Sequence, residues 1–322
     1  MRRLSTRMVL IVSIFLTASA LSTMVAPAQE FPTKPIKLII PSQAGGGHDL
    51  TFRAVTSVAA DYLGQPILIQ LEPGGFGAIG SDQVARAKPD GYTLLAGGAG
   101  WSSAPPAIEG RSKGPDDLDA VCRINYNALM LVARGNGPWK TFKELMAWVR
   151  ANPGKLIVGV GSRLIQDDFF WRKMMKDYGV SVKIVLYQGG GAQLLSVLGG
   201  HSDTGGASTA LYSPYKGTGK LIPVLWMDNK RHPMIPDVPT TIEEGINFVS
   251  RNWRGVLAPK GTPAPIIKKL GDAFQKMTED ASVKSMIKTY GDEIQFLGPE
   301  EFSKVWRDEY EEFKANADMF KR

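Results

Sequence analysis

The stretch Lys37-Leu38-Ile39-Ile40-Pro41-Ser42-Gln43-Ala44-Gly45-Gly46-Gly47-His48-Asp49 decides the fold of this chain. Residues 38–40 form a continuous apolar run, which is typical of a strand buried on both faces of a sheet. Pro41 should end that strand because it has no N–H for the ladder. Three glycines then allow a sharp turn, and Asp49 suits the first turn of a helix.

A strand, a glycine turn and a helix N-terminus together make a site that attracts anions, because free N–H groups and the positive end of the helix dipole converge there. We call residues 41–49 the anion corner and expect a carboxylate or a similar anion to bind there. An ordinary tight turn between strand and helix fits the same pattern equally well.

The same pattern recurs along the first third of the chain. Predicted strands at 67–71 and 92–95 are each followed by a glycine cluster, and Gly77 and Trp101 belong to these clusters. Strands that alternate with helices indicate a mainly parallel α/β sheet with right-handed crossovers, in which ligands bind beyond the carboxyl ends of the strands. We therefore expect Gly77 and Trp101 beside the anion corner, although Trp101 also fits a packing role under residues 102–128, which are predicted to be irregular.

Residues 75–80 match G-x-G-x-x-G, the fingerprint of dinucleotide-binding folds. The match is weak because these glycines follow the second predicted strand rather than the first. A second anion-facing loop is the preferred interpretation. No cofactor is predicted.

The N-terminus predicts export. Arg2, Arg3 and Arg7 precede an apolar run from residue 8 to 20, and Ala26-Pro27-Ala28 fits a signal-peptidase site. The expected location is the periplasm, with a mature chain that starts near Gln29. Removing three arginines from the 38 basic residues leaves 35 against 31 acidic ones, a charge of about +4. This charge does not favour nucleic acid binding.

Cysteine and histidine are too few for several classes of site. Cys122 is the only cysteine of the 322 residues, so the chain can form neither an intrachain disulfide nor a thiolate metal cluster. The three histidines lack zinc-hydrolase spacing, and no serine lies in G-x-S-x-G. No catalytic or metal-binding residue is predicted.

The second half of the chain repeats the α/β design, with glycine or serine after its predicted strands. Residues 128–132 and 256–257 look like strands that pass between two domains. We predict a signal peptide at 1–28, a first domain at 29–128 and 251–322, and a second domain at 129–250. Two crossings make a hinge, as in periplasmic binding proteins of the Venus flytrap type, which close a cleft around their ligand.

The motifs of the whole mature chain resemble the substrate-binding proteins of tripartite tricarboxylate transporters, the Bug receptors. The matching segments are Phe31-Pro32-Thr33-Lys34-Pro35-Ile36, Ala44-Gly45-Gly46-Gly47 with Asp49, Leu63-Gly64-Gln65-Pro66, Pro73-Gly74-Gly75 with Gly77 and Gly80, Lys88-Pro89-Asp90-Gly91-Tyr92-Thr93-Leu94-Leu95, Leu198-Gly199-Gly200 with Asp203, Pro236-Asp237-Val238-Pro239-Thr240, and Leu257-Ala258-Pro259-Lys260-Gly261-Thr262-Pro263. The resemblance implies a two-domain flytrap fold, a monomer, and delivery of a small carboxylate to a membrane permease with one large and one small subunit.

Family members hold the carboxylate between the first-strand loop and loops of the second domain, through backbone amides and ordered waters. The resemblance and the strand-end positions together give the following candidate ligand-binding residues: Gln43, Ala44, Gly47, His48, Asp49, Gly77, Trp101, Ser162, Gln166, Asp167, Asp168, Tyr187 and Ser208.

The sequence departs from the family pattern in the second-domain loop. Asp168 stands near the usual family histidine, and His48 replaces a small polar residue. A carboxylate in the pocket would repel a second ligand carboxyl group, and Arg163 could offset it by pairing with the substrate. We hypothesise one ligand carboxylate in the anion corner and a different distal group near Gln166, Asp167 and Trp101. Helix capping in solvent explains the two aspartates equally well.

His48 is interpreted either as a solvated first-turn residue or as a donor whose charge changes with pH. At the level of function, the leading hypothesis is a receptor for a small carboxylate. The alternative is a ligand-sensing subunit that serves a membrane sensor kinase without transport. An exported hydrolase is disfavoured because no triad or metal signature is present.

Overall fold

The computed structural model describes residues 31–161, 163–187, 189–289 and 292–320. In that part of the chain eleven strands form two sheets. The predicted signal peptide and Ser162 lie outside the described residues. The strands, in chain order, are β1 (Ile36–Ile40), β2 (Ile67–Leu71), β3 (Thr93–Gly98), β4 (Leu118–Asn127), β5 (Met130–Arg134), β6 (Ile157–Val160), β7 (Lys183–Leu186), β8 (Thr204–Ala207), β9 (Leu221–Trp226), β10 (Asn252–Pro259) and β11 (Ile294–Leu297).

Helices connect the strands. They are α1 (Gly47–Thr56), α2 (Ala59–Leu63), α3 (Ala78–Ala85), α4 (Ala99–Ser102), α5 (Ala104–Glu109), α6 (Phe142–Ala151), α7 (Gln166–Tyr178), α8 (Gly190–Leu198), α9 (Thr209–Tyr212), α10 (Ala264–Glu279), α11 (Ala281–Thr289) and α12 (Pro299–Ala315), with 3₁₀ turns at Gly75–Gly77, Ser213–Tyr215 and Ala317–Phe320. Among the described residues, no helix has both the length and the apolar character needed to cross a bilayer.

Each sheet is mixed, which corrects the expectation of a mainly parallel sheet. The first sheet has the order β11-β4-β10-β3-β1-β2 and the second β7-β6-β8-β5-β9. The neighbours of β1 and of β6 are parallel to them, whereas β10 runs antiparallel to β3 and β4, and β5 to β8 and β9. The reason is topological. The chain enters the second sheet through β5 and returns to the first sheet through β10. Each of these strands starts at the end of the sheet where its neighbours finish, so it runs in the opposite direction.

The chain changes sheets twice. It passes from β4 to β5 between Asn127 and Met130, and from β9 to β10 between Trp226 and Asn252. The boundaries predicted at 128/129 and 250/251 fall in these two segments, but the division into domains itself stays a prediction. Backbone bonds link the crossings, because Met227 N–H donates to the Leu129 carbonyl at 2.9 Å and Ser250 N–H to the Met227 carbonyl at 2.8 Å.

Each sheet buries its own apolar core. In the first sheet Trp253 of β10 packs edge-on against Phe302 and lies near Trp306, both on α12. The second sheet packs on Trp171 and Phe170 of α7 on one side and on Leu194 and Val197 of α8 on the other. Burial of such large side chains contributes about 1.5–3 kcal/mol each. These cores hold the strand ends, and therefore the loops beyond them, in place.

Some elements differ from their predictions. Residues 102–128, expected to be irregular, contain α5 and the ten-residue strand β4. The helix expected after the anion corner begins at Gly47 and is followed by a separate short helix, α2, while β11 was not predicted. Asp119 and Arg123 interrupt the apolar pattern of β4, so the strand could not be recognised from the sequence. Val121, Cys122 and Ile124 are nevertheless fully buried.

Candidate functional site

The anion corner has the geometry expected of an open helix N-terminus. β1 ends at Ile40, Gly45 takes the left-handed conformation (φ 79°), and α1 begins after Gly46, whose extended backbone carries no side-chain cap. The first helical bond runs from Leu50 N–H to the Gly46 carbonyl at 3.0 Å. The N–H groups of the first turn therefore point out of the helix, beside the exposed residues Gln43 and Ala44.

Asp49 holds the corner in shape. Its Oδ2 accepts from Gly45 N–H at 2.9 Å and its Oδ1 from Arg53 Nε at 2.7 Å. The side chain is buried. Asp49 was predicted to contact ligand. In the structure its two oxygens close the glycine turn onto α1, and contact with ligand remains a prediction.

His48, Gly77 and Trp101 lie together, as predicted from their strand-end positions. The His48 and Trp101 rings are 4.2 Å apart between centroids, and Trp101 donates from Nε1 to the Ala96 carbonyl at 3.2 Å. A Cβ at Gly77 would lie 2.5 Å from the Trp101 Cβ. Only glycine therefore permits this close approach.

The surroundings of His48 oppose its protonation, which argues against a donor whose charge changes in the physiological range; its contact with ligand remains a prediction. Burial lowers the pKa of His48 well below its ordinary 6.5, and the nearby positive charge of Arg254 lowers it further. The imidazole is therefore neutral near pH 7. Its Nε2 is buried and has no hydrogen-bond partner within the described part of the chain.

Arg254, which sequence reasoning missed, lies beneath the corner. It is 5% exposed, and a Cβ on Gly47 would lie 3.3 Å from its Cζ. Its Nη1 donates to Asp292 Oδ2 at 2.7 Å. A buried charge is rare unless it is paired. The signal in the sequence was one arginine inside the otherwise apolar segment Trp253–Ala258.

On the second sheet, Gln166 and Asp167 begin α7. Gln166 donates from Nε2 to the Arg251 carbonyl at 3.2 Å, and so contacts the second crossing. Asp167 is fully buried and accepts from Gln193 Nε2 at 2.5 Å through Oδ2 and from Asp168 N–H at 3.1 Å through Oδ1. Burial raises the pKa of Asp167 to about 7 despite the bond from Gln193.

Asp168 and Arg163 are held by the protein itself. Asp168 accepts from Leu164 N–H at 2.9 Å and pairs with Arg172 at 2.8 Å, and burial raises its pKa. Arg163 donates to the Phe320 carbonyl at 2.6 Å and pairs with Glu109 at 3.1 Å. The structure therefore gives Arg163 protein partners, in contrast to the expected pairing with a substrate carboxylate.

Tyr187 and Ser208 occupy strand ends of the second sheet. The Tyr187 hydroxyl is 3.1 Å from Ser202 Oγ. Ser208 caps α9, since its Oγ accepts from Leu211 N–H at 3.3 Å. Both side chains are half-buried. Their contact with ligand, and that of Ser162, remains a prediction.

The strand-end loops of the two sheets face each other. A Cβ at Gly100 in α4 would lie 3.5 Å from Cγ2 of Ile165, the residue before α7. Glu109 of α5 and Arg163 form a second contact between the same regions. The described residues contain no cluster of three His, Cys, Asp or Glu side chains able to hold a metal. The arrangement suits an organic anion bound between two sets of loops.

Comparison with known proteins agrees with this geometry. A family model described as the tripartite tricarboxylate transporter family receptor matches residues 51–316. The UPF0065 protein in the gbd 5'region of Cupriavidus necator is 30% identical over 290 residues, which cover 90% of this chain and 88% of that protein. BugT of Bordetella pertussis is 30% identical over 288 residues, 86% of each chain.

Solved structures show the same fold. A solute-binding protein from Polaromonas matches with a TM-score of 0.76 and 28% identity over 88% of this chain and 98% of that one. MatC from Rhodopseudomonas palustris, solved with bound malate, matches with a TM-score of 0.76 and 26% identity over 89% of this chain and 100% of that one. The predicted binding-protein fold is thereby confirmed, and the matching family model describes a transporter receptor. This chain belongs to the tripartite tricarboxylate transporter receptor family, the family of the Bug solute-binding proteins.

Proposed function

We propose that the protein is an exported receptor that captures a small organic carboxylate between its two sheets and delivers it to the permease of a tripartite transporter. The observation that carries this proposal is the anion corner, where the N-terminus of α1 has no side-chain cap. Trp101 of α4 lies beside this corner, and its neighbour Gly100 lies close to Ile165 of the second sheet. Such a helix end favours a bound carboxylate. The malate bound in MatC, 26% identical, supports the same class of ligand.

The distal part of the ligand is proposed to lie near Trp101 and Gln166. Trp101 offers an apolar ring, and its indole N–H is already bonded to Ala96. Asp167 and Asp168 are buried and engaged by protein donors. A hydroxyl, an amide, an amine or an aromatic ring fits this end better than a further carboxylate does, because a like charge near buried carboxylates is unfavourable.

Thermal unfolding against a ligand panel tests the proposal. The mature chain is stripped of ligand by unfolding and refolding, then melted with acetate, malate, citrate or benzoate and with the amide of each acid. A ligand at about a hundred times its dissociation constant stabilises the folded state by about 2.7 kcal/mol. At least one acid should raise the melting temperature, and it should do so more than its amide does. A panel in which no acid stabilises the protein would contradict carboxylate capture.

Export, assembly and delivery have separate tests. N-terminal sequencing of the secreted chain should begin near Gln29 if the predicted cleavage is right. Light scattering should give the mass of a monomer. Deleting the gene should abolish uptake of the carboxylate identified by the panel, while uptake that persists would assign the protein to sensing without transport.

A further inference from the structure

Arg254 is placed by β10 at the end of the first sheet where the anion corner lies. In the sheet register it is opposite Gly98, the last residue of β3, and Asn125 of β4. Its side chain is 6% exposed and runs beneath Gly47, the first residue of α1. An arginine that contributed only to stability would more commonly keep its guanidinium at the surface.

The guanidinium is clamped on one side. Asp292 takes one bond from Arg254 Nη1 at 2.7 Å, and it also accepts from the side-chain amides of Asn125, at 3.2 Å, and Asn127. These three donors fix the carboxylate, which holds the Nη1 end of the guanidinium. Because Asp292 also accepts from the two asparagines, it does not satisfy all the N–H donors of Arg254.

The other side of the guanidinium faces the corner. Arg254 Nε is buried and has no hydrogen-bond partner within the described residues, and a Cβ on Gly47 would lie 3.5 Å from it. A buried, unpaired donor is costly unless something accepts from it. The positive charge also reaches the corner, because it lowers the pKa of His48 there.

We propose that Arg254 is the fixed positive charge of the anion corner and restricts its ligand to an ionised carboxylate. This inference rests on the proposed function and adds to it the side chain that selects a negatively charged ligand. The N–H groups of α1 attract any acceptor atom. A buried cation a few ångströms below them distinguishes an acid from its neutral amide, because Coulomb interactions are strong where water is excluded.

The competing role for Arg254 is to neutralise Asp292. Removing the arginine alone would leave a buried, unpaired carboxylate and damage the fold for that reason. The informative variant is therefore R254M/D292N, which removes both charges while keeping similar volumes. The variant D292N keeps Arg254 and frees it from its partner. Arg123→Met on the neighbouring strand β4 is the matched control, since Arg123 stacks on Tyr126 and donates to the Gln295 carbonyl instead.

Calorimetric titration with acetate, malate, citrate and benzoate, and with their amides, tests the inference. We expect R254M/D292N to lose at least about tenfold in affinity for the acid that binds the wild type best, about 1.4 kcal/mol. R254K should lose less, because it keeps the charge, and D292N should bind the acid at least as tightly as the wild type. The affinity for amides should be the same in all variants.

The outcomes separate the two proposals. Wild-type affinity for the acid in a folded R254M/D292N, judged by circular dichroism, would overturn the role of Arg254 and leave the receptor function intact. If R254M/D292N does not fold, D292N provides the test. A tenfold loss of affinity for the acid in D292N would also overturn the role of Arg254. A wild type that binds none of the acids would overturn both proposals.

Discussion

At the scale of single residues, Asp167 shows a conflict between burial and charge. The side chain is fully buried, and its oxygens accept from Gln193 and from Asp168 N–H. Burial outweighs these bonds and raises its pKa to about 7, from an ordinary value near 3.8. A carboxyl group whose pKa rises on folding stabilises the folded state only while it is protonated, and this contribution is lost as pH rises towards 7.

The variant Asp167→Asn should therefore become more stable relative to the wild type as pH rises. Between about pH 5 and pH 8 the difference in unfolding free energy should grow by about 2–3 kcal/mol. Urea unfolding at several pH values measures this difference. Asp177→Asn is the matched control, since it removes a carboxylate from the exposed end of the same helix. A difference for Asp167→Asn that does not change with pH would contradict the raised pKa.

His48 should give the opposite dependence of stability on pH. Its pKa is lowered by burial and by Arg254, so protonation opposes folding. The unfolded chain then binds more protons than the folded one as pH falls below about 6.5, and stability is lost. We expect the wild type to lose stability relative to His48→Gln between about pH 7 and pH 5. His201→Gln, at an exposed histidine, is the control. A protonated His48 in the NMR spectrum at pH 7 would refute the prediction.

At the scale of elements, the start of α6 follows from the local sequence, in which Glu144 stands three residues after Thr141. Thr141 Oγ1 accepts from Glu144 N–H at 3.2 Å, and Glu144 accepts from Thr141 N–H at 3.2 Å, which is a capping box. Thr141→Ala should cost about 1 kcal/mol. The shift in urea midpoint measures it. Thr289→Ala, in the last turn of α11, removes a hydroxyl that bonds a carbonyl, and should cost less. Equal losses would mean that capping is not the cause.

Strands with uniform apolar runs could be predicted from sequence, and strands of mixed character could not. β1 contains the predicted run 38–40 and ends before Pro41, and β2 has the predicted bounds 67–71, because both segments are mostly apolar and end at a turn signal. β4 was missed because Asp119 and Arg123, which the sheet leaves half-buried, break its pattern. Within the described residues, the short strand β11 pairs with β4 alone. Because β4 was not predicted, the sequence offered no partner strand for β11.

The parts of the candidate site also differ in how far the sequence could predict them. The anion corner is local, and nine consecutive residues were enough to predict its geometry. The surroundings of Arg254 come from distant positions, since its partner Asp292 is 38 residues away and Asn125, which also bonds Asp292, lies 167 residues from it. Asp167 was assigned correctly to a strand-end region, but its bond to Gln193 depends on how α7 and α8 pack, which periodicity does not specify.

At the scale of the whole molecule, polar contacts join the regions that follow the two sheets, in addition to the apolar packing of Phe169 on Phe313 and Phe320. Arg163, before α7, pairs with Glu109 of α5, and Gln166 bonds the second crossing at Arg251. Glu109 also pairs with Arg111 on its own side. In a receptor that closes around its ligand, contacts of this kind set how often the closed form is populated without ligand. The pair Arg163–Glu109 is accordingly a candidate latch.

Arg163→Gln should shift the ligand-free molecule towards an open form and weaken binding. Partly exposed pairs contribute up to about 1 kcal/mol, so the loss of affinity should not exceed about fivefold. Small-angle X-ray scattering without ligand should show a larger radius of gyration, and saturating ligand should abolish the difference. Arg111→Gln is the control, because it removes a partner of Glu109 that lies on the same side. If both variants had the same effect, the charge balance of Glu109 would be responsible. If Arg163→Gln changed neither radius nor affinity, Arg163 would serve only to anchor the C-terminal segment through the Phe320 carbonyl.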